Sequence, residues 1–326
     1  MCNYRLVVYF IMSLFLVSCG GGSGGSSTSA NSSRVSFSVS DAPVDTAQEV
    51  MISFDQVELV VDDETSIFID VSDGQNDYVQ VNLLDYQGTD ALLIVSDEPI
   101  AVGVYENLIL HVSDEDNVNY VLEISNGDPK SLKQPSNKLK LGSFEVSSES
   151  VQSFTIEFDL RMSLVMRGNQ GNNNGYILKP HGVSIVSNAN SVTISGTVDT
   201  NLFDEGTCDG DDASMVYLYE GNGLDSTQLI DLIDPDDEEF TGDPAIPDGS
   251  IAPVASVQVE EDGSYQFGFL VEGDYMVAFA CDGESDDSIE YDPTIIIPMD
   301  PTVAFPDPKY ADVVFDQGVG VVNFTN

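Results

Sequence analysis

Apolar residues in this chain recur at every second position and almost nowhere at the three-and-four spacing of a helix. That regularity restricts the fold to half-buried strands, because successive side chains of an extended chain point to opposite faces. In "RVSFSVS", Val35, Phe37 and Val39 share a face; in "SFTIEFD", Phe154, Ile156 and Phe158 do, with Thr155 and Glu157 opposite. "VMISF" groups Val50, Ile52 and Phe54, whereas "VELVV" groups Val57, Leu59 and Val61, so the parity changes between Phe54 and Val57. A bulge or bend is expected there. "NLLDYQGTDALLIV" comes nearest to helical spacing and allows one short helix at most. Turn-forming clusters such as "SDGQND", "SDEDNVN" and "SNGDP" separate the runs, and "MRGNQGNNNGY" reads as a hairpin with a long tip. The expected fold class is all-β, with two β-sandwich domains of Greek-key type.

A boundary is expected near "VSNANS", giving an N-terminal domain over 34–187 and a C-terminal domain over 192–326. In the second, Val192, Ile194, Gly196 and Val198 share a face, and "SMVYLYEG" follows. A long acidic connector, "DLIDPDDEEFTGDPAIPDGS", comes next. Tyr265, Phe267 and Phe269 then alternate, as do Tyr275, Val277, Phe279 and Cys281, with Gly273–Asp274 as a hairpin turn between the two runs. The last strand is expected to be "ADVVFDQGVGVVNF".

Charge narrows the partners. The 326 residues carry 56 acids and 10 bases, a net charge of −46. Residues 34–187 hold 25 acids against 8 bases; residues 188–326 hold 31 acids against Lys309 alone. Such a chain repels nucleic acid and anionic lipid, whose phosphates need clustered Lys and Arg. Two compatible accounts of the acidity stay open: solubility in salty surroundings, and binding of divalent cations.

The first residues form an address. Arg5 precedes an apolar run from Leu6 to Val17, too short to span a bilayer and suited to a signal peptide over residues 1–18. Leu16, Val17, Ser18 and Cys19 resemble the bacterial lipobox. The resemblance implies that Cys19 takes a diacylglyceryl thioether and becomes the first mature residue. Residues 19–33 are then a lipidated cysteine and a Gly/Ser linker, a flexible coil with an r.m.s. span of roughly 20 Å. Gly20 after the cysteine, by the same resemblance, implies the outer membrane of a Gram-negative cell. Of four cysteines, Cys2 leaves with the signal, which leaves Cys208 and Cys281. In an exported protein that pair is expected to be oxidised, closing a loop worth on the order of 4 kcal/mol.

Two stretches resemble a family. "VSFSVSDAPVDTAQEVMISFDQVEL" contains an SDAP box, and Phe158, Asp159, Ser163, Leu164, Val165, Gly175, Tyr176, Leu178, Lys179 and Pro180 form a second box. Together they resemble bacterial lipoproteins of domain-of-unknown-function family 4382 over roughly residues 34–187. The family pattern has a basic residue directly before the serine; here Met162 stands there and Arg161 one earlier. The resemblance implies an exported, lipidated, β-rich protein and no assigned activity. The second domain is similar in pattern to transthyretin-like domains beside carboxypeptidases, through Ile194, Gly196 and Val198; Val216 and Leu218; Asp262, Gly263, Tyr265 and Phe267; and Gly273, Tyr275 and Val277. That likeness implies a small immunoglobulin- or transthyretin-like sandwich without a catalytic role.

Candidate chemistry is sparse. "CDGDD" and "CDGESDD" echo each other, and a Cys208–Cys281 bridge would bring Asp209, Asp211 and Asp212 near Asp282, Glu284, Asp286 and Asp287. Calcium, with six to eight oxygen ligands, would relieve their repulsion, although the spacing is not that of an EF-hand. Solvated acidic turns flanking a disulfide are the plainer account. "DPDDEEF" from Asp234 to Phe240 is a weaker second cluster. No strand-to-helix nucleophile elbow and no H-E-x-x-H motif accompanies His111 or His181, so both are expected to be structural or surface residues. Lys130, Lys133, Lys138 and Lys140 form the one basic cluster, read as solvated loop lysines or as a docking patch for an acidic partner or for the chain's own second domain.

The expectation is a lipid-anchored, non-enzymatic envelope protein with a binding, adhesion or structural role, facing an envelope protein or polysaccharide. The alternatives are an accessory module to a secreted hydrolase or carbohydrate-handling system, and a calcium-dependent binding module. No cofactor other than calcium is expected.

Overall fold

The computed structural model describes residues 32–42, 47–115, 117–124, 127–149, 151–169, 172–203, 214–235, 240–281, 283, 286, 288–299 and 309–325. The chain is all-β. Its first half contains β1 (Ser32–Ala42), β2 (Ala47–Asp62), β3 (Thr65–Asp70), β4 (Val79–Asn82), β5 (Leu92–Ala101), β6 (Gly103–Tyr105), β7 (Asn107–Val112), β8 (Tyr120–Glu123), β9 (Pro129–Lys133), β10 (Lys138–Lys140), β11 (Phe144–Val146) and β12 (Val151–Asp159). A single helical turn, α1 (Leu160–Ser163), leads to β13 (Leu164–Asn169), β14 (Asn172–Leu178) and β15 (Val183–Ser187). Then come β16 (Ser191–Thr197), α2 (Thr200–Phe203), β17 (Met215–Glu220), β18 (Ala255–Gln258), β19 (Ser264–Val271), β20 (Tyr275–Ala280), β21 (Tyr310–Asp312), β22 (Phe315–Asp316) and β23 (Val319–Val321). No helix among the described residues is long and apolar enough to cross a membrane.

A four-stranded sheet ordered β15-β12-β1-β5 packs on a nine-stranded sheet running β10-β7-β2-β8-β9-β14-β13, with β3 and β4 also paired to β2. The alternation dictates the core: Val35, Phe37, Val39, Phe154, Ile156 and Phe158 meet Val50, Ile52, Phe54, Val57 and Leu59 in one cluster. The Phe54 and Phe158 rings lie 6.0 Å apart across it. At the centre of the smaller sheet, β1 and β12 run parallel in unbroken register from Arg34↔Val151 to Ala42↔Asp159.

β2 organises the larger sheet. Met51 pairs with both β4 and β8, and Phe54 with both β4 and β7. β8 and β7 therefore follow one another along the same edge of β2, and the sheet forks between them. A register shift between Phe54 and Gln56 marks the fork. This is the bulge that the parity change calls for, and it keeps Val50, Ile52, Phe54, Val57 and Leu59 all buried.

The second half holds two four-stranded sheets, β19-β16-β23-β22 and β18-β17-β20-β21. Val192, Ile194, Tyr265 and Phe267 of one pack against Val216, Leu218, Val277 and Phe279 of the other. Gly196 has no room for a side chain: a Cβ there would stand 1.6 Å from the Val322 carbonyl oxygen. β17 and β20 are buried on both faces, which is why they read as continuous apolar runs. Their outer residues, Met215, Tyr217, Tyr219, Met276, Ala278 and Ala280, are covered by Leu229, Leu232, Ile295, Ile297 and Met162. Among the described residues, no strand of the first half pairs with one of the second.

Several local expectations are corrected. Gly273–Asp274 does not close a hairpin: β19 and β20 belong to different sheets, so this turn carries the chain across the sandwich. Phe269 leaves the alternation through a positive φ of 45°, and Leu270 packs on the core in its place. "ADVVFDQGVGVVNF" is not one strand but β21, β22 and β23, with the last two folded back at Gln317–Gly318. Asp231, Leu232 and Asp234, at the start of the acidic connector, are buried. The four lysines lie on β9 and β10 rather than on a loop.

Candidate functional site

The fork in the larger sheet opens a groove of about 880 Å³, within the range of small-molecule sites. One branch is β7 with β10, the other β8 with β9; the 113–119 connection and the 134–137 turn close the ends. Asn119 holds the fork open. Its Oδ1 accepts from the Ser53 N–H at 2.7 Å and its Nδ2 donates to the Ser113 carbonyl at 2.7 Å, while Ser113 N–H donates to the Ser53 carbonyl at 2.8 Å. One amide thus satisfies both backbone groups that the parting strands would otherwise leave without partners. On the other rim, Gln134 Oε1 accepts from Ser136 N, Ser136 Oγ and Lys138 N.

The lining mixes chemistries. Tyr120, Leu122 and Pro135 give apolar surface, Asp114 and Glu115 are exposed carboxylates, and Lys133 is an exposed ammonium. Tyr120 Oη donates to Glu49 Oε2 at 3.1 Å. Burial, together with this carboxylate, raises the phenol above its ordinary value. Asn117 and Asn137 stand in the left-handed region, φ 65° and 52°, which asparagine tolerates. The signals in the sequence were the parity change, "SDEDNVN" and Lys133; nothing local joined them, because Ser53 and Asn119 lie 66 residues apart.

The two sequence boxes meet elsewhere. Asp41 of the SDAP box lies beside Phe158, and Asp159 caps α1 by accepting from Met162 N at 3.1 Å. Asp41 keeps the inward parity of Val35, Phe37 and Val39 and is fully buried, with the Leu160 N–H as the one group that favours its ionised form. Burial, then the charges of Glu157 and Asp159, raise its carboxyl well above the usual range. Burial also pushes Asp159 up to about 7, against the Met162 N–H and Arg161, which lower it. Ser40 and Asp41 face opposite sides of β1, so the three acids do not converge on one point.

α1 projects into the second half. Arg161 Nη2 donates to the Gly283 carbonyl at 2.7 Å and Nη1 lies 3.8 Å from Met215 Sδ, both buried. Nearby, Tyr217 Oη donates to Asp286 Oδ2 at 2.7 Å, and Asp231 Oδ2 accepts from Asp292 N at 2.6 Å. Burial raises Asp231 to about 7.

Of the residues picked from sequence, Cys19, Cys208, Asp209, Asp211, Asp212, Asp282, Glu284 and Asp287 lie outside the described residues. Cys281 follows β20 and packs on the second core. Asp286 is buried in the contact with Tyr217. Among the described residues, no three His, Cys, Asp or Glu side chains are grouped to hold a metal. His111 is structural: its Nε2 lies 2.8 Å from Glu58 Oε2, which also accepts from Lys138 Nζ at 3.2 Å. His181 is exposed on the turn before β15.

Residues 32–180 match the model of a family described as a domain of unknown function, DUF4382. The match takes in both sequence boxes, the fork and α1, and it stops before β15. Among solved structures, the chain is similar to the TIE protein of Bacillus anthracis at 8% identity and a TM-score of 0.19, covering 90% of this chain and 33% of that one. It is also similar to the major pilin subunit of Bacillus cereus, at 10% identity and a TM-score of 0.18, covering 86% and 59%. A streptococcal ancillary pilin gives 10% identity and a TM-score of 0.17, covering 91% and 64%. The chain thus spans about a third to two thirds of the length of these proteins. No curated protein matches it.

Proposed function

We propose that this protein is a membrane-tethered, non-catalytic β module that binds its ligand in the fork groove. The observation that carries the reading is the groove itself: a fixed concave surface in which hydroxyl, carboxylate, amide and ammonium groups stand over apolar side chains. The lipobox at Cys19 supports the tether. The Gly/Ser composition between Cys19 and β1 supports a spacer in the tether. The setting is the outer membrane of a Gram-negative cell, where a Cys208–Cys281 disulfide forms and the second half serves as a transthyretin-like support. Mass spectrometry of the mature amino terminus tests the tether. An acylated Cys19 is expected, and Cys19→Ser should release the chain from membranes. A different mature start, or a chain without acyl mass, ends the tethered reading.

A further inference from the structure

We infer that the ligand of the fork groove is an uncharged, polyhydroxylated chain, that is, a neutral saccharide. The inference rests on the reading of the groove as the binding surface and specifies what it takes. Three classes of ligand are separated by the lining. A polyanion meets Glu49, Asp114 and Glu115 in the groove and a net charge of −46 over the whole chain, and is repelled. A polycation would satisfy the carboxylates but meet Lys133, an exposed ammonium that also lines the groove.

A neutral saccharide uses every class of group present. Its hydroxyls both donate and accept, so Asp114 and Glu115 accept hydrogen bonds from them while Lys133 and the Asn117 and Asn137 amides donate hydrogen bonds to them. Hydrogen bonds to ionised partners are the stronger ones, and a neutral ligand brings no ion of its own to desolvate. The C–H faces of sugar rings have matching surface in Tyr120, Leu122 and Pro135. The frame is rigid enough to select, because Asn119 and Gln134 are committed to the backbone and do not have to be reorganised.

The signs of two substitutions read out the class. Full-length protein purified in a sugar-free detergent is titrated with chitotetraose, cellotetraose and maltotetraose, and separately with hexalysine and a heparin fragment. Binding is followed by calorimetry and by amide shifts of the groove residues. At least one neutral tetraose is expected to bind, and both Asp114→Ala and Lys133→Ala are expected to weaken it by about ten-fold. Both residues are exposed, so folding is not at stake. Opposite signs overturn the inference: hexalysine binding weakened by Asp114→Ala and strengthened by Lys133→Ala makes the ligand cationic, and the reverse pattern with heparin makes it anionic. Either result leaves the groove as the binding surface. Groove shifts with none of these probes overturn the ligand class and the groove reading together, while the mass of the amino terminus judges the tether independently.

Discussion

Asp41 sits where the alternation demands an apolar residue. It follows Val35, Phe37 and Val39 on the inward face of β1, opposite Phe158, where the Leu160 N–H alone works against the burial of its carboxyl. An ionised carboxylate in such a place is costly, which favours the protonated form. Its pKa stands well above the ordinary 3.8, raised by burial and then by Glu157 and Asp159; Asp159 itself stands at about 7. The folded chain therefore keeps protons that the unfolded chain releases near pH 4. This contribution to stability is complete below the unfolded pKa and is lost as pH rises through the folded values. Thermal unfolding should accordingly show greater stability near about pH 5 than near about pH 8. Asp41→Asn, which cannot ionise, should raise stability most at the alkaline end and flatten the profile. An Asn variant that is less stable by the same amount at both pH values would mean that the contact with the Leu160 N–H, rather than burial, governs this carboxyl.

At the scale of elements, the fork is a strand-pairing problem solved by one side chain. Where β7 leaves β2 and β8 joins it, Ser53 has a backbone N–H turned to neither strand, and Asn119 accepts from it. Asn119→Ala should strand that N–H and the Ser113 carbonyl, at a cost of about 2 kcal/mol or more. It should also abolish ligand binding, because the groove walls lose their spacer. Chemical denaturation and ligand titration check the two effects; a variant of unchanged stability that still binds would remove Asn119 from this role. How much of this was legible follows from the distances involved. The bulge was readable because Phe54 and Val57 are three residues apart and both apolar. The fork was not, since Asn119 looks like an ordinary turn residue until Ser53 is beside it. α1 was hidden for a related reason. Leu160 to Ser163 interrupt a strand-like run for one turn only, and only the Asp159 cap distinguishes them. The Gly273–Asp274 turn misled because the same residues serve a hairpin and a crossing between sheets.

Over the whole molecule, the two halves share no strand pairing among the described residues, yet they form one compact unit over Asn31–Asn326. Besides the packing of β15 on β19, two contacts among the described residues couple them. α1 places Arg161 against Gly283 and Met162 in the cluster with Tyr217 and Ile295. The 86–90 connection touches β19 so closely that a Cβ on Gly268 would stand 1.7 Å from the Gly88 carbonyl oxygen. The first contact is anchored by a buried guanidinium, whose hydrogen bond a lysine cannot reproduce with the same planar fork. Wild-type protein should therefore unfold in a single calorimetric transition. Arg161→Ala removes the anchor, at a cost of about 1–3 kcal/mol in coupling, and should split the transition in two. Gly268→Ala pushes the second contact apart and should do the same without touching α1. If both variants unfold in a single transition at an unchanged temperature, the halves are joined by something other than these contacts. If Arg161→Ala alone splits the transition, the α1 contact is what fastens the first half to the second.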